Sequence, residues 1–183
     1  MIRIIAGSAK GHRLKIPANL PFRPTSGRVR EAIFNLIGSH VVDAHVLDLF
    51  AGSGSLGLEA VSRKAASVLF IDNDPRVVRI IRENLIHLRF TERGEVWRHD
   101  YLTALRYLQR AGRRFDLIFS DPPYGSGASN NLLPFLNPLL QDGGIAVMEY
   151  AKSERISLDE TGGLRLTVDR SYGTTRVIVY HKM

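Results

Sequence analysis

Cysteine is absent from this 183-residue sequence, and so are long apolar runs. The lack of cysteine excludes disulfide bonds, thiolate-ligated zinc sites and cysteine nucleophiles, and it fits a reducing compartment. No apolar run approaches the about 20 residues that a membrane-spanning helix needs, and no signal-peptide core follows the first methionine. We therefore expect a soluble, cytoplasmic protein, and the length predicts a single domain over residues 1–183.

Acidic residues are missing from the first 30 positions, where seven arginines and lysines account for the whole formal net charge of +7. The rest of the chain is balanced, with 18 basic and 18 acidic residues. A neutral body with a basic arm is typical of enzymes that act on nucleic acids, although a solvated basic face is the simpler alternative. The side chains that we expect to contact nucleic acid are Arg13, Arg23, Arg28 and Arg30.

Residues 1–40 show the pattern of a hairpin followed by a helix. Two short strands are predicted at 1–5 and 12–16, and Thr25 or Ser26 can cap a helix that runs to about Ile37. Strands and helices then alternate until a final pair of strands around Gly173. This order predicts an α/β fold with a doubly wound, mostly parallel seven-stranded sheet, an antiparallel edge and a small N-terminal extension. The strands are expected at 46–50, 67–71, 94–99, 115–120, 145–150, 164–170 and 175–181, and the helices at 56–62, 75–88, 102–108 and 131–140.

The stretch from 46 to 74 has the pattern of a strand, a glycine turn, a helix, a second strand and an acid, with G-x-G-x-x-G spacing at Gly52, Gly54 and Gly57. Such a turn can hold the pyrophosphate of a dinucleotide or the aminocarboxypropyl arm of S-adenosylmethionine. Asp48 favours S-adenosylmethionine, because a carboxylate beside the turn repels a pyrophosphate and attracts an ammonium group. Asp72 suits either cofactor as an acceptor for ribose hydroxyls, and a bare turn without a ligand is the remaining alternative.

Carboxylates end three successive predicted strands, at Asp72, Asp100 and Asp121, and Asp48 lies near the end of the strand before them. Since the carboxyl ends of parallel strands form one rim, these acids indicate a cationic ligand rich in hydrogen-bond donors, as S-adenosylmethionine is. We assign Asp72 to the ribose and Asp100 to the adenine amine. Asp100 alone is equally well explained as the cap of the following helix.

The segment Asp121-Pro122-Pro123-Tyr124 indicates chemistry on an exocyclic amine. The Asp121 carboxylate and the Pro122 carbonyl can accept the amine hydrogens and stabilise the positive charge that grows on nitrogen, while Tyr124 stacks on an unpaired or flipped-out base. The alternative is a rigid strand-end loop with Tyr124 in the core. The small polar loop at 125–131 is expected to be mobile and to order over substrate.

Three segments together, RPTSGRVREAIFN (23–35), DLFAGSGSLGLEA (48–60) and DPPY (121–124), resemble the RsmD-type 16S ribosomal RNA guanine-N2 methyltransferases. The resemblance implies a Rossmann-like class I methyltransferase fold and methyl transfer from S-adenosylmethionine to one guanine N2 amine of a partly assembled small ribosomal subunit. It implies a cofactor site at Asp48, Gly52, Gly54 and Asp72, and an amine pocket at 121–124. We also expect Ala51 and Ser53 of the same turn to bind the cofactor.

Three other functions remain open from the sequence. A methyltransferase acting on adenine in DNA keeps the chemistry and changes the target. A nicotinamide-dependent oxidoreductase would tolerate the loss of Asp48, and a non-catalytic RNA-binding module would tolerate the loss of Asp121. The histidines lack the spacing of metal ligands, so we expect no metal, and we expect a monomer.

Overall fold

The computed structural model describes residues 2–16, 25–122, 132–154 and 161–183. Within these ranges the chain forms nine strands and five α-helices. The strands are β1 (Ile2–Arg3), β2 (Arg13–Leu14), β3 (His45–Leu49), β4 (Ser67–Asp72), β5 (Gly94–Arg98), β6 (Phe115–Ser120), β7 (Leu140–Ala151), β8 (Arg165–Tyr172) and β9 (Thr175–His181). The helices are α1 (Gly27–Ile37), α2 (Ser55–Ser62), α3 (Pro75–His87), α4 (Tyr101–Arg110) and α5 (Leu133–Leu136), with 3-10 turns at Gly38–Val41, Thr91–Arg93 and Asn137–Leu139.

Seven strands form one sheet in the order β5-β4-β3-β6-β7-β9-β8, and β1 and β2 pair separately. The first five in that order run parallel, whereas β9 is antiparallel to both β7 and β8. The predicted doubly wound sheet with an antiparallel edge is therefore confirmed, as is the separate N-terminal hairpin. The order reverses at β3, between β4 and β6, and in such folds the cleft at this reversal takes the ligand.

Both faces of the sheet are covered, which explains why its strands appear in the sequence as nearly continuous apolar runs. Along β3, Val46 packs into the core shared with α1, α2 and α3, whereas Leu47 and Leu49 pack into the core shared with α4 and α5. Alternation along the strand thus aims Asp48 at the α1 side of the sheet. No helix among the described residues is long and apolar enough to cross a membrane.

The predicted helix starts carry side-chain caps. The Ser26 side chain accepts from Val29 N, and Asp74 accepts from Arg76 N ahead of Pro75. These caps satisfy backbone N–H groups that have no partner in the first turn of a helix.

The helix expected at 131–140 is much shorter in the described part of this segment. It spans Leu133–Leu136 and gives way to a 3-10 turn, because Pro138 has no N–H with which to continue the helix. Residues 142–144 lie at an irregularity within β7, where the register with β6 shifts between Phe115 and Leu117.

Buried side chains of α2 and α3 fix the N-terminal hairpin to the sheet layer. Glu59, which is fully buried, accepts from the backbone N–H groups of Ile5 (2.7 Å) and Ala6 (2.9 Å). A Cβ on Gly7, at φ +84°, would lie 1.8 Å from the backbone oxygen of Ser62, so only glycine allows this approach. The Asn84 side chain exchanges two hydrogen bonds of 2.9 Å with the backbone of Lys15. The hairpin is therefore a docked element rather than a loose arm.

Candidate active site

The glycine turn between β3 and α2 uses backbone conformations that favour glycine. Gly52 and Gly54 have φ of +52° and +69°, and Phe50 shares the left-handed region at +62°. The turn is tied down by bonds from Ala51 N to Ile71 O (3.0 Å) and from Gly54 N to Ala51 O (2.7 Å). A non-glycine residue held at positive φ costs on the order of 1–3 kcal/mol, and such strain clusters at functional sites.

Asp48 is 3% exposed and faces the first turns of α2. Its Oδ2 accepts from Gly57 N at 2.9 Å, and a Cβ on Gly57 would lie 2.3 Å from the Phe70 ring. Burial raises the pKa of Asp48 to about 8, and the charges of Asp72 and Asp121 act in the same direction. At neutral pH this carboxyl therefore keeps its proton until a cation arrives to favour the ionised form.

Asp72 ends β4 and supports the turn directly. Its Oδ2 accepts from Gly52 N at 3.0 Å, and its Oδ1 accepts from Asp74 N at 2.9 Å. Burial raises the pKa of Asp72, and the hydrogen bonds from these backbone N–H groups offset part of that rise. A carboxylate offers about four acceptor positions, so lone pairs remain for the hydroxyls of a ribose.

Asp121 and Pro122 follow β6 at the point where the strand order reverses. Asp121 is half-buried, Pro122 is buried, and burial raises the pKa of the Asp121 carboxyl. Three predictions from the sequence lie outside the described residues: Arg23, the Pro123-Tyr124 half of the amine pocket, and the expected mobile loop at 125–131.

Glu149 is a carboxyl of this cleft that the sequence analysis missed. It lies in β7, is 3% exposed, and its Oε1 accepts from Thr25 Oγ1 at 3.0 Å. Burial raises its pKa well above the usual range, and the charges of Asp121 and Asp48 raise it further. The signal was an acid inside an apolar strand, which is rarely placed there without a reason.

Two expected residues take other positions. Asp100 is exposed, and its Oδ1 accepts from Leu102 N and Thr103 N. Its contacts are therefore those of a cap on α4, the alternative that the sequence left open. Arg30 was expected on the nucleic-acid-binding surface, and the structure corrects this. Its side chain is 2% exposed, and its Nη2 donates to the backbone oxygen of Arg3 at 2.8 Å.

The other predicted residues fall into two groups. Arg13 and Arg28 are exposed, as surface contacts require. The second group is the glycine turn, which lies beside Asp48 and Asp72. Its residues Ala51, Ser53 and Gly54 are buried.

The residues of the cleft fit S-adenosylmethionine. The charges of Asp72 and Asp121 raise the pKa of Asp48, and those of Asp121 and Asp48 raise the pKa of Glu149. Among the described residues only Arg30 offers an opposing charge to Glu149. Buried carboxyls without counterions are costly, so a ligand with a sulfonium and an ammonium group compensates them. Asp48 would hold the ammonium group, Asp72 the ribose, and the turn from Ala51 to Gly54 the arm between them.

The chain is similar to known methyltransferases. A family model described as "Conserved hypothetical protein 95" matches residues 2–181. The chain is 38% identical to the "Putative rRNA methyltransferase YlbH" of Bacillus subtilis over 99% of both chains. It is 39% identical to "Ribosomal RNA small subunit methyltransferase D" of Escherichia coli, over 84% of this chain and 75% of that one.

A solved structure described as "Putative methyltransferase yhhF from Escherichia coli" matches with a TM-score of 0.82 and 32% identity, covering 99% of this chain and 97% of that one. The predicted Rossmann-like methyltransferase fold is thereby confirmed, and so is S-adenosylmethionine as the cofactor. The chain belongs to the "Conserved hypothetical protein 95" family, the RsmD-type methyltransferases.

Proposed function

We propose that this protein transfers a methyl group from S-adenosylmethionine to the exocyclic N2 amine of one guanine in 16S ribosomal RNA, within the small subunit or its assembly intermediate. Two observations support the RNA substrate. The relatives are named as ribosomal RNA methyltransferases, and the N-terminal extension of this chain is basic. The resemblance of segments 23–35, 48–60 and 121–124 to guanine-N2 methyltransferases supports the N2 amine.

The observation that carries the proposal is the group of buried and half-buried carboxyls at the reversal of the strand order. Asp48 stands beside the glycine turn and Asp121 at the end of the neighbouring parallel strand. The first suits the positive charge of a methyl donor, and the second suits an amine that becomes positively charged. The parallel register pairs Leu49 of β3 with Ser120 of β6, so Asp48 and Asp121 lie close on neighbouring strands, which supports one shared cleft.

The chain's own part in the reaction is to position the amine and to accept a proton. When bound, S-adenosylmethionine supplies a methyl group on a sulfonium that leaves as a neutral thioether. Asp121 and the Pro122 carbonyl accept the two amine hydrogens, which turns the nitrogen lone pair out of the ring and toward the methyl carbon. After transfer, the proton on the positively charged nitrogen goes to Asp121 or to water. Burial raises the pKa of Asp121, which makes it a better proton acceptor than a solvated aspartate.

The docked N-terminal extension is the surface that we assign to RNA. It carries exposed Arg3, Lys10 and Arg13, and Arg28 is exposed on the first turn of α1. Because Glu59 and Asn84 hold the hairpin in place, these charges keep a fixed position relative to the cleft. A fixed basic surface can orient an RNA through its phosphates without reading its sequence.

The test uses small subunits from cells that lack this protein. Purified protein and labelled S-adenosylmethionine are incubated with these subunits, with free 16S RNA and with duplex DNA, and the modified nucleoside is identified by mass spectrometry. We expect N2-methylguanosine from the subunits, and a kcat about a thousandfold lower for an Asp121→Asn variant. A methylated adenine from duplex DNA, or a product at another atom of guanine, would overturn the proposal.

Several further expectations belong to the same proposal. A ribosomal substrate places the enzyme in the cytoplasm, and a single domain over residues 1–183 acting as a monomer is sufficient for the chemistry above. No step needs a metal, so we expect exhaustive EDTA treatment to leave the rate of transfer unchanged.

A further inference from the structure

We propose that Glu149 determines the choice of base by accepting a hydrogen bond from N1–H of the target guanine, next to the amine held by Asp121. This inference rests on the proposed function, because it names the group that recognises the base in the same cleft.

The strand register places Glu149 beside Asp121. Ser120 of β6 is the parallel partner of Met148 of β7, so Asp121, which follows the end of β6, comes next to Glu149, which lies within β7. Val147, two residues before Glu149, packs on the α1 side of the sheet. Phe119, two residues before Asp121, packs on the same side. Alternation therefore directs Glu149 and Asp121 toward the same side.

The burial of Glu149 indicates that it faces a ligand. A carboxyl that is 3% exposed loses most of its hydration, and a protein places one in such a position either fully bonded or facing a ligand. Thr25 donates to Oε1, which restricts the carboxyl plane, and we assign Oε2 to the base. Thr25 also precedes α1, so the same bond joins the extension to the amine pocket.

The charges around Glu149 support its action as an acceptor during catalysis. Arg30 is its cationic neighbour and favours the ionised form, while Asp121 and Asp48 oppose it. A bound cofactor adds two positive groups to this cleft, which shifts the balance toward the carboxylate.

The edge of guanine fits this pair of acids. N1–H and the N2 amine are adjacent donors on one edge, so two neighbouring carboxyls can each accept from one of them. Adenine and 2,6-diaminopurine instead present a lone pair at N1, which an ionised carboxylate repels. A site built to bond a donor discriminates strongly against an analogue that lacks the donor, because its own polar group is left unpaired.

The experiment compares guanine with 2,6-diaminopurine, which keeps the N2 amine and replaces N1–H with a lone pair. Small subunits are reconstituted on 16S RNA that carries either base at the target position, and kcat/KM is measured for the wild-type protein and for Glu149→Gln. We expect the wild type to prefer guanine at least about tenfold, and Glu149→Gln to lose about tenfold to a hundredfold on guanine. An amide can also donate, so the variant should use 2,6-diaminopurine at least as well as the wild type does.

The outcomes separate this inference from the proposed function. Equal use of the two bases by the wild type, or an equal loss on both in Glu149→Gln, would overturn the role of Glu149 while N2 methylation of guanine stands. Absence of N2-methylguanosine with the wild type would overturn the proposed function itself. If Glu149→Gln does not fold, Glu149→Asp replaces it: the withdrawn carboxylate should lower the rate on guanine without raising the rate on 2,6-diaminopurine.

Discussion

Two regions of this protein bury carboxyl groups, and they treat them differently. Under the hairpin, Glu59 is fully buried and accepts from Ile5 N, Ala6 N and Arg63 Nε at 2.7–2.9 Å. In the cleft, the donors that the described residues supply are the backbone N–H of Gly57 for Asp48 and the hydroxyl of Thr25 for Glu149. The first carboxyl has its donors within the fold, whereas burial raises the pKa values of the other two.

The difference separates a structural acid from a ligand-binding acid. A buried carboxylate with several donors stabilises the elements that supply them, and removing it leaves those donors unpaired. A buried carboxyl with few donors costs free energy in the empty protein and regains it when a cation or a donor binds. Four variants follow in order of decreasing expected effect. The first three test this distinction, and the fourth tests the surface outside the cleft.

Asp121→Asn should cause the largest effect. We expect kcat to fall about a thousandfold, because an amide can neither take the proton nor stabilise the charge on the amine nitrogen as well as a carboxylate. Cofactor affinity, measured by calorimetry, should change less than about threefold. A variant that retains wild-type kcat would show that Asp121 does not hold the amine.

Glu59→Ala should instead act on stability. Loss of the acceptor leaves two backbone N–H groups and Arg63 unpaired, so we expect the free energy of unfolding in urea to fall by about 3 kcal/mol. The matched control is Glu31→Ala on the exposed face of α1, which should change it by less than about 0.5 kcal/mol. A stable Glu59→Ala protein with weakened cofactor binding would contradict the comparison.

Asp48→Asn should change how cofactor binding depends on pH. With a pKa of about 8, Asp48 keeps its proton in the empty protein at pH 7 and must release it when the cation binds. Affinity in the wild type should therefore rise with pH toward about 8 and level off above it. Calorimetry in buffers of different ionisation enthalpy should show that the wild type releases about one proton more than the variant on binding the cofactor. The variant should bind the cofactor about tenfold more weakly. Equal proton release by both proteins would contradict this assignment.

The double variant Arg13→Ala, Arg28→Ala should have the smallest effect, since both side chains are exposed. We expect weaker binding to the subunit, and a log–log salt slope lower in magnitude by about two, because each arginine neutralises one phosphate of the RNA. Arg110→Ala, at the end of α4 across the sheet, is the control and should leave the slope unchanged. An unchanged slope in the double variant would remove this surface from the proposal.

The sequence predicts the sheet well because its signals are local and repeated. The central strands β3, β4 and β6 appear as apolar runs that end near a turn residue or an acid, and β6 was predicted at its observed bounds of Phe115–Ser120. Helix α5 was predicted too long because apolar spacing continues through 138–140, where Pro138 removes the N–H that a further helical turn requires.

The position of Arg30 could have been found from helix periodicity. It precedes Ile33, Phe34 and Ile37 by three, four and seven residues, which is the spacing of the buried face of α1. The charge of Arg30 suggests a place on the surface, but its position on the buried face of α1 places the side chain in the interior. Glu149 was harder to find, because its neighbours in the cleft come from other strands and only the sheet register brings it beside Asp121.

Helix α2 begins at the glycine turn and carries Glu59 and Ser62, the anchors of the hairpin, on its last turn. Its eight residues span about 12 Å. It therefore acts as a fixed spacer between the reacting methyl group and the surface that we assign to RNA. Inserting one residue into α2 would rotate the hairpin anchors by about 100° about the helix axis, so the length of this helix constrains which nucleotide can reach the cleft.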